Sequence, residues 1–165
     1  MLKRFTLAVA CAVLGGCAAY QPLPPGYSGP TATLSDFAII EGQTKAQLFV
    51  VLEIDGHPIE NSIGATATAS RGQFFSLRTN IVERPIPARP MKVKLKGTHA
   101  TGAPIHSLLS QAVGTFYSVE GVVDFSPLPN KVYFVRGELK EQGSSIWITE
   151  EDTGGVPVTE KVFSK

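Results

Sequence analysis

Three histidines, His57, His99 and His106, are the side chains of this sequence best suited to metal or proton chemistry. His99 and His106 flank Ala100-Thr101-Gly102-Ala103-Pro104, whose residues favour an irregular connector, so the two rings could meet. A metal needs three or four converging donors, themselves held by outer hydrogen bonds. The nearest carboxylates along the chain, Glu83 and Glu120, are remote, so the spacing predicts surface loop histidines and no metal. Ser107 and Ser110 lie close to His106, but their spacing fits no triad and no acid stands ready to orient the imidazole. Glu150-Glu151-Asp152 reads as a solvated strand end, because an acid/base pair needs two carboxyls in different environments. The sequence has no Gly-x-Ser-x-Gly, no P-loop and no Gly-x-Gly-x-x-Gly. These patterns predict a protein that is not an enzyme and carries no cofactor.

Two further groups could bind without catalysing. Lys92, Lys94 and Lys96 alternate with Met91, Val93 and Leu95, which puts three ammonium groups on one strand face about 7 Å apart. Such a row could meet anionic headgroups, each charge contributing about 1 kcal/mol at such a surface. The plainer account is a solvated face, or lysines that blunt an edge strand. Trp147, the single tryptophan, sits between Ile146 and Ile148. If the isoleucines face a core, the indole faces outward and could anchor a partner; if both faces are covered, it is core.

The elements that must hold these groups are strands. Besides Met91–Lys96, a period of two runs through Tyr117, Val119, Val123 and Phe125, and again through Tyr133, Val135 and Leu139. Leu48, Val50, Leu52 and Ile54 alternate too, but Phe49 and Val51 between them are apolar, which predicts a strand covered on both faces. Further strands are expected over 33–40, 63–69, 73–79, 145–149 and 156–162. Turn signals at Asp55-Gly56, Arg71-Gly72, Gln142-Gly143 and Gly154-Gly155 separate these runs. Only Pro104 to Val113 has a helical period, with Ile105, Leu108, Leu109 and Val113 on one face. Eight or nine short strands predict an all-β chain, a single antiparallel β-sandwich of immunoglobulin- or transthyretin-like type. The connector 97–114 is the expected functional loop, since long loops on rigid scaffolds tend to carry function.

The chain opens with Lys3 and Arg4 followed by an uncharged apolar run, Phe5 to Leu14, the build of a secretory signal. That run is short of the roughly 20 residues a bilayer span requires. It ends in Leu14-Gly15-Gly16-Cys17, which resembles the lipobox of bacterial lipoprotein precursors. The resemblance implies cleavage before Cys17, acyl chains on its thiol and an anchor in the membrane. Two or more chains hold a protein durably, because each buried methylene contributes about 0.8 kcal/mol. Ala18, rather than aspartate, follows the cysteine, which resembles the enterobacterial sorting signal for the outer membrane, facing the periplasm.

The expected organisation is a signal over 1–16, a lipidated tether over 17–30 rich in proline and glycine, and a β-sandwich domain over 31–165. Cys11 would leave with the signal and Cys17 would be consumed, so the domain would have no free thiol and no disulfide. Fifteen Lys and Arg against 14 Asp and Glu give no basic bias for a nucleic-acid partner. The segments Phe49 to Gly56, Gly72 to Leu77 and Asn130 to Gly137 are similar to a family of uncharacterised small β-sandwich lipoproteins with an Asp-Gly hairpin and a late Gly-Lys-x-Tyr-x-Val strand. Asn130 stands where that family usually has glycine. The resemblance implies a fold and no activity. The expected role is a membrane-anchored binding or structural module of the envelope, with a protein or glycan partner. The alternatives are a lipid or small-ligand carrier with a cavity between its sheets, and a hydrolase using the 97–114 loop.

Overall fold

Met91, Val93 and Leu95 are buried and Lys92 is exposed, so the alternation read along the sequence is a real strand with a dry and a wet face. The computed structural model describes residues 20–102 and 116–164. Their strands are β1 (Thr31–Ser35), β2 (Phe37–Ile40), β3 (Lys45–Ile54), β4 (His57–Pro58), β5 (Glu83–Pro87), β6 (Met91–Thr101), β7 (Val119–Phe125), β8 (Val132–Glu138), β9 (Ser145–Glu150) and β10 (Val162–Phe163). They form two sheets packed face to face, one ordered β10-β9-β8-β1-β5 and the other β2-β3-β6-β7 with β4 beside β3. This is the expected all-β sandwich. Every pairing is antiparallel except one, since β1 runs parallel to β8 through Leu34 and Tyr133.

The core lies between the sheets, where Leu34, Phe49, Val51, Ile86, Leu95, Val135, Ile146 and Ile148 are fully enclosed. Phe49 needs room: a Cβ on Gly137 would come within 2.5 Å of its ring. Leu48 and Val50 are equally buried but point to the other side of β3, as their alternation with Phe49 requires. The cover on that side comes from α1 (Ser62–Ala69), which packs on β3. The Asp55-Gly56 signal is a tight hairpin between β3 and β4, both residues having positive φ (50° and 78°), as a type I′ turn demands.

Three expected strands are corrected, one of them 156–162, which gives only an isolated bridge at Pro157 and, at its end, Val162 of β10. Residues 63–69 form the helix α1. Ile63, Ala65, Ala67 and Ala69 alternate with Gly64, Thr66 and Thr68, so the sequence mimics a period of two. Asn61 decides the matter by accepting the amides of Ile63 and Gly64 at the helix N-terminus. Residues 73–79 form no strand: Gln73 to Ser76 make a turn, closed by the Ser76 amide on the Gln73 carbonyl with Phe74 at a φ of 55°, before the chain runs back beside α1. There Ser62, Thr66 and Ser70, four residues apart, accept the amides of Val82, Asn80 and Arg78, two residues apart. Four helical residues rise about 6 Å and two extended residues about 6.7 Å, so hydroxyls replace a partner strand. The helix expected over Pro104 to Val113 lies outside the described residues.

Candidate functional site

The concavity most suited to a ligand is a cleft of about 350 Å³ between α1 and the outer face of β3 and β6. Leu48, Ile63, Ala67, Leu77 and Ala100 make its apolar wall, and Arg71 supplies a cation. Two of its hydroxyls already accept backbone amides. Thr66 Oγ1 accepts the Asn80 amide at 3.0 Å, while Ser70 Oγ accepts the Arg78 amide at 2.9 Å. A shallower depression of about 520 Å³ lies against α1 beside Ile59, Gly64 and Asn80. The first residues of the connector, Thr98 to Gly102, therefore line a concavity, on the helix side of the sheet rather than between the sheets.

His99 is not a surface loop residue, which corrects the expectation. Strand β6 continues five residues past Lys96, paired with β3 out to Lys45 and Thr101, and carries His99 inward in step with Leu95 and Gly97. The imidazole is buried against Phe116 and Tyr117, with ring centroids 5.2 and 6.2 Å away. Among the described residues neither ring nitrogen has a hydrogen-bond partner, and Glu41 Oε2 lies 3.7 Å from Nδ1. Burial pushes the His99 pKa below the usual histidine range, Lys45 adds to this, and Glu41 opposes it. His57 lies at the far end of β3, exposed and stacked on Tyr20 at 4.4 Å. The structure does not bring these two histidines together. Among the described residues no three His, Cys, Asp or Glu side chains converge as metal ligands.

The lysine row does not lie on a sheet edge, since β6 runs between β3 and β7. Lys92 meets Asp124 at 2.8 Å; Lys94 meets Glu53 and Glu120, each at 3.2 Å; Lys96 meets Glu120 at 3.1 Å. Three ammonium groups thus face three carboxylates across neighbouring strands. Hydrogen bonds from Lys96 and then Lys94 lower the Glu120 pKa, and the Glu53 and Glu120 carboxylates raise that of Lys94.

Trp147 points away from the inter-sheet core, opposite Ile146 and Ile148, yet is only 8% exposed. The segment following β9 folds back over it and places Lys161 Nζ 4.0 Å from the ring centre. The indole face is therefore occupied by a residue of the same chain. His106 and Cys17 lie outside the described residues.

Two arrangements escape a reading by alternation. The first is the cleft itself, which depends on α1; Asn61 before an alanine-rich stretch is the signal that could have found it. The second is the docking of the tether. From Tyr20 onward it lies on the domain, with Tyr20 packed against the core and Pro22 buried. Comparison of the chain with protein-family models, with curated proteins and with solved structures gives no match.

Proposed function

We propose that this chain is a lipid-anchored, non-catalytic binding module of the bacterial envelope, held by acyl chains on Cys17 in the outer membrane and facing the periplasm. The observation that carries the binding role is the cleft between α1 and β6. Its wall is largely aliphatic, its Thr66 and Ser70 hydroxyls accept backbone amides, and Arg71 is the one lysine or arginine among its described lining residues. Such a wall suits an apolar side chain of a partner protein, with an acidic neighbour for Arg71. A glycan is favoured less, because the indole that would form a stacking platform is covered by Lys161. The lipobox residues Leu14-Gly15-Gly16-Cys17 support the anchor.

The test has two parts. Intact-mass analysis of protein extracted from envelopes should give a chain beginning at Cys17 with added acyl mass. A photo-crosslinking residue at Leu77, on the cleft wall, should then trap a discrete protein adduct in cells, and Ala67→Trp, which fills the cleft from the exposed side of α1, should abolish it. An adduct pattern unchanged by Ala67→Trp would overturn the assignment of the cleft. The carrier reading keeps one observation in its favour, since 350 Å³ falls within the range of small-ligand pockets. Native mass spectrometry of the purified protein would then show a bound small molecule that Ala67→Trp displaces.

A further inference from the structure

Tyr20, close in sequence to the proposed anchor, and the cleft lie at opposite ends of one strand, which bears on how the domain stands on a membrane. Only Ala18 and Ala19 separate Cys17 from Tyr20, and those three steps of chain reach about 10 Å when fully extended. Tyr20 is not free to wander. Its ring stacks on His57 at 4.4 Å, it packs against the core, and Pro22 two residues on is buried. Tyr20, Gln21 and Pro22 share one small depression with Ile59, Glu60 and Arg84, which places them where β3 turns into β4.

The other end of β3 carries the opposite set. Thr44 accepts the amide of Gly102, and Gln43 accepts that of Leu77, so the β2–β3 turn, the cleft and the loop at Phe74 gather there. Strand β3 spans ten residues, about 30 Å. Phe74 is 90% exposed and Ile40 is 58% exposed at this end. A bare aromatic could serve for insertion into a bilayer or for contact with a protein, and its distance from the anchor decides between them.

Resting on the lipid-anchor reading, we propose that the Tyr20–His57 stack latches the acylated N-terminus to the β3–β4 end. The bilayer then lies within about 10 Å of that end, a reach set by three steps of chain. The cleft and Phe74 are turned toward the periplasm as a surface for a protein partner. Residues 17–30 do not act as a long spacer; the domain itself provides the distance.

The mature domain's lack of any other thiol makes the test clean. Acylated Glu60→Cys and Gln43→Cys proteins, both altered at exposed positions, are labelled with a fluorophore. They are then reconstituted into phosphatidylcholine–phosphatidylglycerol vesicles carrying a nitroxide on the lipid headgroup. The label at position 60 should be quenched several-fold more than that at 43. Inserting twenty Gly and Ser residues after Ala19 should collapse the difference, since such a linker spans about 25 Å. Equal quenching at both positions in acylated protein would overturn the latch while leaving the anchor standing. So would stronger quenching at 43, which would put Phe74 in the membrane. An unacylated Cys17, detected by mass before labelling, would overturn the anchor reading and this proposal with it.

Discussion

Arg84 Nη2 lies 2.9 Å from Asp36 Oδ1, and both side chains are buried. Asp36 is the one residue between β1 and β2, where the chain leaves one sheet and enters the other. Its Oδ1 also accepts the Val51 amide at 3.0 Å, and its Oδ2 accepts the amide and hydroxyl of Ser62 at 2.8 and 2.9 Å. One carboxylate thereby joins β5, β3 and the first turn of α1, where the helix dipole also favours an anion.

Breaking this pair leaves a buried charge without its counterpart. Asp36→Ala is expected to destabilise the fold by about 3–5 kcal/mol. The Arg84→Met change alone should also be costly, and the double variant should cost clearly less than the two singles together. Urea unfolding of the four proteins checks this; additive losses would mean that Asp36 acts through its amide contacts alone.

The hydroxyl ladder on α1 gives a graded prediction. Ser62 is fully buried, accepting from Val82 and donating to Asp36, whereas Ser70 is partly exposed. Ser62→Ala should cost about 1–3 kcal/mol, the usual range for stranding a buried polar partner. Ser70→Ala should cost less, because water can reach the freed Arg78 amide. Equal losses at both positions in thermal melts would refute the ordering.

The strands were legible because their signal is local. Tyr133 and Val135 alternate with more exposed neighbours, and Asp55-Gly56 specifies its own turn. The doubly covered β3 was legible too, from Phe49 and Val51 between Leu48 and Val50. The helix over 62–69 was not, since alanine and threonine alternate with either period and its buried face is hydroxylic rather than apolar. Arg84 and Asp36 lie far apart in sequence, and nothing in either neighbourhood announces that they meet. His99 reads as a loop residue because Ala100-Thr101-Gly102-Ala103-Pro104 follows it, and of the glycines on either side, Gly97 and Gly102, neither breaks the strand, which runs to Thr101. The first of these glycines makes room for Phe49 and Val119 within a continuous strand.

The buried imidazole sets a pH response. A neutral His99 in the folded state, with its pKa below the unfolded value of 6.5, means that the unfolded chain binds the proton more tightly. Stability should therefore fall as pH drops below about 6.5 and level off beneath the folded-state pKa. The nearby Glu41 carboxylate, its pKa lowered from the ordinary value, stays ionised through this range and does not supply the change. Melting temperatures between pH 7.5 and 5 test it, with His99→Phe expected to flatten the response. A slope that survives His99→Phe would assign it to another group.

Trp147 offers a probe of the segment folded over β9. With the indole 8% exposed and Lys161 above it, emission should lie to the blue of free indole and iodide should quench it poorly. Lys161→Ala should raise iodide access with little change in overall stability, since an exposed cation–π contact contributes about 0.5–1 kcal/mol. Strong quenching of the unaltered protein would show that the segment leaves the ring readily.

The lysine row carries the sharpest negative expectation. Each ammonium of Lys92, Lys94 and Lys96 already faces a carboxylate of Asp124, Glu53 or Glu120, so an anionic membrane would have to compete with partners 2.8–3.2 Å away. Surface pairs of this kind contribute little to folding and are screened by salt. Replacing all three lysines by glutamine should therefore lower stability only modestly and leave association with anionic vesicles unchanged when the acyl chains are absent. The complementary change, Asp124→Asn with Glu53→Gln and Glu120→Gln, unmasks three cations on one face. It should create vesicle binding that the parent lacks and that vanishes with added salt. Sedimentation with phosphatidylglycerol vesicles measures both, and appreciable binding by the unaltered acyl-free protein, lost on lysine replacement, would restore the row as a membrane contact.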